Sequence, residues 1–351
     1  MFLRRGAYGA AGLGLLSSGL LVACSDDKTS TSSGSGAKDF GALNYQLSWV
    51  KNSEFSGTYI ADDRGYFKDA GFSSVNLISG GPNVQQDAVV QSGKALLGIS
   101  TPDITASAIN KGADLIIIGA QYQKNPFCVM SLAKTPINTP EEMKGKKIGV
   151  QAVNEPVWNA FLTANKIDPA SITKVTVQFN PEPLTTGEVD GWFSFITNEP
   201  NTLKAQGIDT VTFLLNDFNY PLVSETYMVK KSTLSGGDRA KLKAAMIADI
   251  KGWRVSVTDA TIGAKLAAEK YGKDLKLDAK EQELEVTAET ALILTEDTKA
   301  NGIFTITDKQ IEESIATLKL AGVDITKEKL FDLSLLTEIY SENPDLKKSP
   351  V

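Results

Sequence analysis

Short apolar runs alternate with helical stretches along the first part of the chain that follows its polar N-terminal segment. The strand-like runs lie at 43–50, 75–78, 95–99 and 115–120, and the helical stretches between them lie at 56–70, 83–92 and 102–111. This β-α-β-α order with short connections predicts a mostly parallel sheet covered by helices. The first lobe is therefore expected to be an α/β unit.

The same order continues further along the chain. Strand-like runs follow at 148–150, 175–179 and 210–215, with helices that open after the loops at 151–156 and 198–200. An alternating apolar strand at 224–229 then leads into helical sequence that extends to about residue 340. The pattern predicts two α/β lobes that face each other across a cleft, with C-terminal helices that wrap the first lobe as structure.

The first 24 residues resemble a bacterial lipoprotein signal peptide. Arg4 and Arg5 precede an apolar run at 7–23, which ends in Leu-Val-Ala-Cys. Cys24 is then expected to carry lipid, and the Ser/Thr/Gly-rich residues 25–39 are expected to form a flexible tether. The expected location is the extracytoplasmic face of the cell membrane. An ordinary secretory signal is the alternative, and the arginine pair leaves general and twin-arginine export both open.

Composition excludes several classes of function. The 351 residues carry 36 basic and 42 acidic side chains and a net charge of −6, which disfavours a nucleic-acid partner. The chain has no histidine, so it can have no histidine-based triad, imidazole base or histidine-ligated zinc. Cys24 and Cys128 are its two cysteines, and no disulfide is expected. We expect no metal, no cofactor and no catalytic residue.

Polar and aromatic residues collect where the predicted strands end, which is the edge where open α/β sheets bind ligands. The candidate ligand-binding residues are Trp49, Glu54, Phe55, Tyr59, Gly81, Ser100, Thr101, Tyr122, Asn154, Glu155, Trp192, Asn198, Glu199, Asp217 and Tyr220. Aromatic walls with carboxylate acceptors suit a flat heterocycle that has N–H donors. The alternative is that half of the aromatic residues are core and half of the acids are solvated surface or caps.

Several segments resemble the substrate-binding proteins of bacterial ABC importers. They are WVKNSEFSGTYIADDRGYF, the Gly-Gly-Pro loop, SGKALLGIS, EEMKGKKIGV and the Asn-Glu-Pro at 198–200. The nearest branch is the one for thiamine pyrimidine precursors, which is related to fungal thiamine pyrimidine synthase. The resemblance implies a type II periplasmic-binding fold with extra C-terminal helices. It also implies crossovers near 127–132 and 222–229, with lobe 1 at 40–128 and 229–345 and lobe 2 at 129–228.

The resemblance implies two functions of different classes. One is a monomeric binding protein that captures hydroxymethyl- or formylaminopyrimidine and docks with a membrane permease and its ATPase. The other is an enzyme of the fungal type, which makes the pyrimidine from pyridoxal phosphate and a histidine of its own chain. This chain has no histidine to supply, which favours the binding protein.

The class of ligand has alternatives of its own. Neighbouring families bind nitrate, sulfonates or taurine, and riboflavin would suit the same aromatic and acidic residues as a pyrimidine. An anion site normally uses arginine or helix N-termini. Apart from Arg64, at the end of the first predicted helix, the candidate loops have no arginine. A nitrogen heterocycle is therefore the preferred ligand.

Overall fold

The computed structural model describes residues 39–351, which form two five-stranded sheets flanked by helices. The expected signal peptide, Cys24 and the tether as far as residue 38 lie outside the described residues. Within residues 39–351, no helix combines the length and the apolar character needed to cross a membrane.

The first sheet has the strand order β2-β1-β3-β10-β4 and the second has the order β7-β6-β8-β5-β9. The strands are β1 (Gly41–Gln46), β2 (Phe72–Ile78), β3 (Leu97–Ser100), β4 (Leu115–Tyr122), β5 (Phe127–Leu132), β6 (Lys147–Gln151), β7 (Thr173–Val177), β8 (Gly191–Phe195), β9 (Thr210–Leu214) and β10 (Ser224–Lys230). In each sheet one strand runs antiparallel to both of its neighbours, β10 in the first and β5 in the second. The two lobes therefore share one topology.

Helices cover both sheets. They are α1 (Ser56–Asp63), α2 (Tyr66–Asp69), α3 (Gln86–Gln91), α4 (Pro102–Asn110), α5 (Glu155–Ala164), α6 (Glu182–Thr185), α7 (Glu199–Ala205), α8 (Lys231–Ser235), α9 (Arg239–Ser256), α10 (Ala260–Leu266), α11 (Ala279–Ile293), α12 (Glu296–Asn301), α13 (Asp308–Leu320), α14 (Lys327–Leu330), α15 (Ser334–Glu342) and α16 (Pro344–Lys347). The helix expected at 56–70 is interrupted at Gly65, whose φ of 75° lies in the left-handed region. The predicted α/β class is confirmed.

The connections between the sheets lie at 123–126 and 215–223, a few residues before the expected crossovers. The segments expected to be crossovers are mostly strands: β5 lies wholly in the second sheet and β10 wholly in the first. The lobe boundaries expected at 128/129 and 228/229 therefore fall inside β5 and β10. The structure places the changes of lobe in the connections at 123–126 and 215–223 instead. Each of these strands inserts between two others and is buried on both faces. In β5, whose sequence is FCVMSL, this burial gives a nearly continuous apolar run, which hides the ends of the strand in the sequence.

Close packing of α1 on α9 depends on two glycines. Gly57 lies against the indole ring of Trp253, and Gly252 lies against the backbone of α1. A Cβ atom added at Gly252 would stand 2.1 Å from Gly57 O and 2.7 Å from Ala61 N. Backbone on both helices cannot give way as a flexible side chain would, so this site has room only for glycine.

We predict that Gly252→Ala destabilises the protein by about 2 kcal/mol, because overpacking costs more than the helix propensity that alanine gains. Urea unfolding followed by tryptophan fluorescence measures the change. Gly237→Ala is the matched control, since an added Cβ there meets no atom within 4 Å. Equal stabilities for the two variants would show that α1 and α9 can separate at little cost.

Candidate ligand-binding site

A cleft lies between the two sheets and encloses about 450 Å³ of free space, its mouth included. The residues that line it are Ser48, Trp49, Glu54, Gln86, Thr101, Ile104, Phe127, Val153, Asn154, Phe193, Ser194, Phe195, Asn198, Glu199 and Glu225.

Strand ends position the wall that the first lobe contributes. Ser48 and Trp49 follow β1, Gln86 opens α3 after the loop from β2, and Thr101 follows β3 as the residue before α4. Because β1, β2 and β3 are parallel, their carboxyl ends meet at one edge of the sheet. Glu54 lies in the short 3-10 turn Ser53–Phe55, just before α1.

The second lobe contributes its wall in the same way. Val153 and Asn154 follow β6, while Phe193 and Phe195 lie in β8, which is parallel to β6. Phe127, at the start of β5, stacks on Phe193 with ring centroids 4.8 Å apart. Phenyl rings on this side and the indole of Trp49 on the other therefore line the same cleft.

The two lobes are in contact across the cleft. Val153 N donates to Pro82 O at 2.9 Å, and Asn83 Nδ2 donates to Gln178 Oε1 at 3.2 Å. Thr202 of α7 donates to Glu281 of α11. These contacts describe a closed arrangement, in which a ligand between the lobes would be shielded from solvent.

Glu54 and Glu225 meet at the floor of the cleft through Ser48. Ser48 Oγ lies 2.6 Å from Glu225 Oε2 and 3.3 Å from Glu54 Oε1. Glu225 has a φ of +45°, in the left-handed region that non-glycine residues avoid at a cost of about 1–2 kcal/mol. An unfavourable backbone conformation is thus retained at a residue that lines the cleft.

Glu199 is the third carboxyl group of the cleft and comes from the opposite lobe. It opens α7, and its Oε2 accepts hydrogen bonds from Ser194 Oγ at 2.6 Å and Phe195 N at 3.3 Å. Both donors belong to β8, so the sheet itself holds this carboxyl group in place. Burial raises the pKa of Glu199 above its usual value, while these hydrogen bonds act in the opposite direction.

A second layer of carboxyl groups lies behind Glu54 and comes from α11. Glu285 Oε1 accepts from Asn52 Nδ2 and its Oε2 accepts from Ser53 Oγ, both at 2.8 Å. Glu289 is fully buried, and neither of its side-chain oxygens has a hydrogen-bond partner within residues 39–351. The C-terminal helices were expected to be structural only, but α11 supplies acidic residues directly behind the cleft.

Burial dominates the electrostatics of these acids. It raises the pKa of Glu54 well above its usual range, and the neighbouring Glu225, Glu285 and Glu289 raise it further. Burial likewise raises the pKa of Glu225 to about 7 and that of Glu285 to about 8. The pKa of Glu289 is raised well above its usual range by burial and by Glu285.

No lysine or arginine of residues 39–351 lines the cleft. Its chemical character is therefore acidic and aromatic, with carboxyl groups on both lobes. The described part of the chain also has no group of three or more Asp, Glu or Cys side chains placed to hold a metal ion. The arrangement is suited to an uncharged or positively charged organic ligand.

Part of the predicted site lies in the cleft. The predicted residues that line it are Trp49, Glu54, Thr101, Asn154, Asn198 and Glu199. Five of them lie within four residues after the end of a strand, and Glu54 lies in the turn just before α1. That these residues bind a ligand stays a prediction.

Other predicted residues are buried and do not line the cleft. Tyr59 stacks on Tyr271 with centroids 4.3 Å apart, and Phe55 packs against Tyr59. Trp192 is buried in the second lobe's core, Tyr122 is wholly buried, and Ser100 donates to Asp87 at 2.5 Å. These side chains form the cores on which the lining residues rest.

The remaining predicted residues are in loops or at the surface. Gly81 belongs to the loop after β2 and does not line the cleft. Tyr220 is buried and donates to Asp103 Oδ2 at 2.6 Å. Glu155 and Asp217 form ion pairs with Lys174 and Lys124, respectively, outside the cleft. Glu155 and Asp217 are thus surface acids and Tyr220 is a core aromatic residue, as the alternative interpretation of the sequence expects.

Sequence reasoning missed several lining residues. They are Ser48, Gln86, Ile104, Phe127, Val153, Phe193, Ser194, Phe195 and Glu225. Glu225 had a usable indication, since it is an acid within the segment that the alternating pattern predicts to be a strand. Ser194 had one too, as the polar residue of Gly-Trp-Phe-Ser-Phe in a strand. The phenyl rings could not be separated from core residues by sequence.

The two lobes, their shared topology and the cleft at facing strand ends define a periplasmic-binding-protein fold. A solved ligand-binding component of an ABC-type import system from Staphylococcus aureus has the same fold, with a TM-score of 0.63, 11% identity and coverage of 85% of this chain and 99% of that one. The alkanesulfonate-binding protein SsuA of Xanthomonas axonopodis, solved with MOPS, aligns with a TM-score of 0.58, 15% identity and coverage of 86% and 99%.

Sequence comparison identifies the family. The model described as NMT1/THI5 like matches residues 52–260, which is more than half of the chain, so the protein belongs to the NMT1/THI5-like family. A formylaminopyrimidine-binding protein from Halalkalibacterium halodurans is 23% identical over 226 residues, which span 63% of this chain and 68% of that protein. The resemblance stated from sequence is confirmed.

The raised pKa values predict how stability depends on pH. The native state holds more protons than the unfolded state between the usual glutamate pKa near 4.5 and the native values of about 7 for Glu225 and about 8 for Glu285. Stability is therefore greatest at the acid end of this range and is lost as pH rises through it, by about 1.4 kcal/mol per pH unit for each extra proton. Urea unfolding of ligand-free protein at pH 5, 6, 7 and 8 measures this slope.

Glu285→Gln isolates one contribution, because glutamine keeps the side-chain shape without a titrating group. We expect a shallower loss of stability with pH and a more stable protein at pH 8. Glu155→Gln is the control, since Glu155 is half exposed and lies outside the cleft. A wild-type stability that stays level or rises from pH 5 to pH 8 would contradict the prediction.

Proposed function

We propose that this protein is the extracytoplasmic solute-binding component of an ABC importer and captures a small nitrogen heterocycle between its lobes. A thiamine pyrimidine precursor, hydroxymethyl- or formylaminopyrimidine, is the favoured ligand. Membership of the NMT1/THI5-like family and similarity to a formylaminopyrimidine-binding protein support this choice. The partners would be a membrane permease and its ATPase, with the protein acting as a monomer and without a cofactor.

The acidic and aromatic lining of the cleft is the observation that carries the proposal. Trp49 offers an indole face on one lobe, and Phe193 and Phe195 offer phenyl rings on the other. Aromatic faces select flat rings, because stacking needs a planar partner. Glu54, Glu199 and Glu225 are acceptors on both sides, and an aminopyrimidine presents N–H donors at its edge.

The same lining disfavours the anions that related folds bind. A sulfonate or nitrate in this cleft would lie beside carboxyl groups, with no lysine or arginine of residues 39–351 in the lining to compensate its charge. Like charges in a partly desolvated space repel strongly, and this repulsion would offset most of the binding free energy of such an anion. The cleft therefore supports a neutral or cationic ligand over taurine, sulfonates and nitrate.

An enzymatic role in pyrimidine synthesis has weaker support. The fungal type of enzyme would need a histidine of its own chain, and this chain has none. The contacts between the lobes suit capture and release, in which a ligand favours closure by touching both walls at once. Lipid attachment at Cys24 completes the proposal, as an anchor that keeps the protein near the permease.

Isothermal titration of the purified protein tests the proposed ligand. The compounds are hydroxymethyl- and formylaminopyrimidine, riboflavin, taurine and nitrate. We expect a pyrimidine to bind, and taurine and nitrate to give no heat of binding. Glu199→Gln should weaken pyrimidine binding about tenfold or more, because a charge-assisted hydrogen bond contributes about 1.5–3 kcal/mol. Trp49→Ala should weaken it through loss of stacking.

Glu155→Gln is the matched control, because it changes the same residue type outside the cleft. It should bind as the wild type does. Tight binding of an anion with no heat from either pyrimidine would overturn the ligand assignment. Turnover of pyridoxal phosphate into a pyrimidine would overturn the binding-protein role itself.

A further inference from the structure

The floor of the cleft holds two carboxyl groups that face each other through one hydroxyl group. We propose that the cleft binds its heterocycle as a cation, whose protonated ring nitrogen replaces the proton that Glu54 and Glu225 share in the empty site. The choice of a heterocycle rests on the proposed function, whereas the positive charge follows from the geometry of the floor. The ligand class is thereby narrowed to weakly basic nitrogen rings.

Hydrogen counting at Ser48 indicates that the pair holds one proton. The hydroxyl group of Ser48 has a single hydrogen, and the short 2.6 Å contact with Glu225 Oε2 uses it. The second contact, 3.3 Å from Ser48 Oγ to Glu54 Oε1, is then a hydrogen bond when Glu54 carries a proton and donates it. Protonated Glu54, the Ser48 hydroxyl and ionised Glu225 thus form a chain with one shared proton.

The surroundings of Glu54 keep that proton in place when the cleft is empty. The titratable groups that face it are Glu225, Glu285, Glu289, Tyr59 and Tyr122, which are all acids or phenols. Glu54 is 2% exposed and draws no ion pair from any lysine or arginine of residues 39–351. Burial raises the pKa of Glu54, and the neighbouring carboxyl groups add to the effect.

Gln86 is an independent indication that a donor belongs in the cleft. Its side chain lines the cleft at 3% exposure, and its Oε1 accepts no hydrogen bond from residues 39–351. A buried amide oxygen without a donor costs about 1–3 kcal/mol. An N–H group of a ligand would satisfy it, whereas an anion would add a further acceptor.

The transfer step is balanced within the site. A neutral ring enters, the O–H bond of Glu54 breaks with its electron pair left on the carboxylate, and the lone pair of a ring nitrogen forms the new N–H bond. The total charge of site and ligand is unchanged. The resulting cation then lies beside two carboxylates in a water-poor space, where charge-assisted hydrogen bonds are strongest.

Nitrogen NMR observes this directly. The probe is hydroxymethylaminopyrimidine labelled with ¹⁵N at both ring positions, added to the full protein at pH 8, where the free ring is neutral. We expect one ring ¹⁵N resonance of the complex to move upfield, to the position that the free probe shows in acid. A bound ring whose two nitrogens keep their neutral shifts would overturn the proposal.

Glu54→Gln tests the source of the proton, since glutamine resembles protonated glutamate in shape and charge. We expect this variant to be at least as stable in urea at pH 7 as the wild type, because its native state no longer has to bind a proton at this position. It should bind the probe at least tenfold more weakly and leave the bound ring neutral. Glu155→Gln should bind a protonated ring with wild-type affinity. A protonated ring bound to Glu54→Gln with undiminished affinity would overturn the role of Glu54.

A second probe separates the two proposals. 1-Methylnicotinamide is a flat permanent cation, and calorimetry in two buffers of different ionisation heat counts the protons exchanged when it binds. The titration is done at pH 8, where Glu225, with a pKa of about 7, is ionised in the empty site. If no aminopyrimidine binds but this cation binds and releases one proton, the proposed function is wrong and the cationic site stands. If an aminopyrimidine binds as a neutral ring, only the cationic site is wrong. If neither probe binds, both are wrong.

Discussion

The rest of the cleft depends on one physical constraint: its carboxyl groups are buried, and no lysine or arginine of residues 39–351 lines the cleft to neutralise them. Glu54, Glu225, Glu285 and Glu289 come from a turn, a strand and a helix that are distant in sequence, yet they occupy one dry region of the first lobe. Ionising all four carboxyl groups together would cost more free energy than the net stability of a domain. Bound protons and neutral hydrogen-bond donors must therefore satisfy them. Ser48, Asn52 and Ser53 supply such donors.

This constraint explains why α11 is part of the site and not only a cover. Gln282 accepts from Ser53 N at 2.7 Å, so the helix fixes the turn that carries Glu54 as well as placing Glu285 beneath it. Its first turn also reaches the second lobe through Glu281 and Thr202. The helix α11 therefore contacts both the turn that carries Glu54 and the second lobe.

Sequence reasoning reached the fold and one part of the site. Trp49, Thr101 and Asn154 were predictable because each follows a strand, and parallel strands bring such residues to one edge. Tyr59 was misplaced because an aromatic residue on a helix reads the same whether it faces a ligand or another helix. Trp192 was misplaced because alternate residues of a strand face opposite sides, and the register was unknown.

That Glu225 and Glu285 lie beside Glu54 could not be predicted from the sequence, for a different reason. Glu225 lies in β10, which returns from the other lobe, and Glu285 lies in a C-terminal helix more than two hundred residues from the turn it supports. Only the tertiary fold brings these acids to Glu54.

A shared fold leaves the choice of ligand to a few side chains at the same strand ends. The Xanthomonas protein with this fold is named for binding alkanesulfonates, which are anions. The present cleft has Glu54 and Glu225 on one lobe and Glu199 on the other, so a ligand touches a carboxyl group whichever wall it meets first. In the closed arrangement Glu199 of one lobe and Glu54 and Glu225 of the other line the same cleft, so an anion between the lobes would be repelled from both sides, whereas a neutral or positive ligand would be accepted.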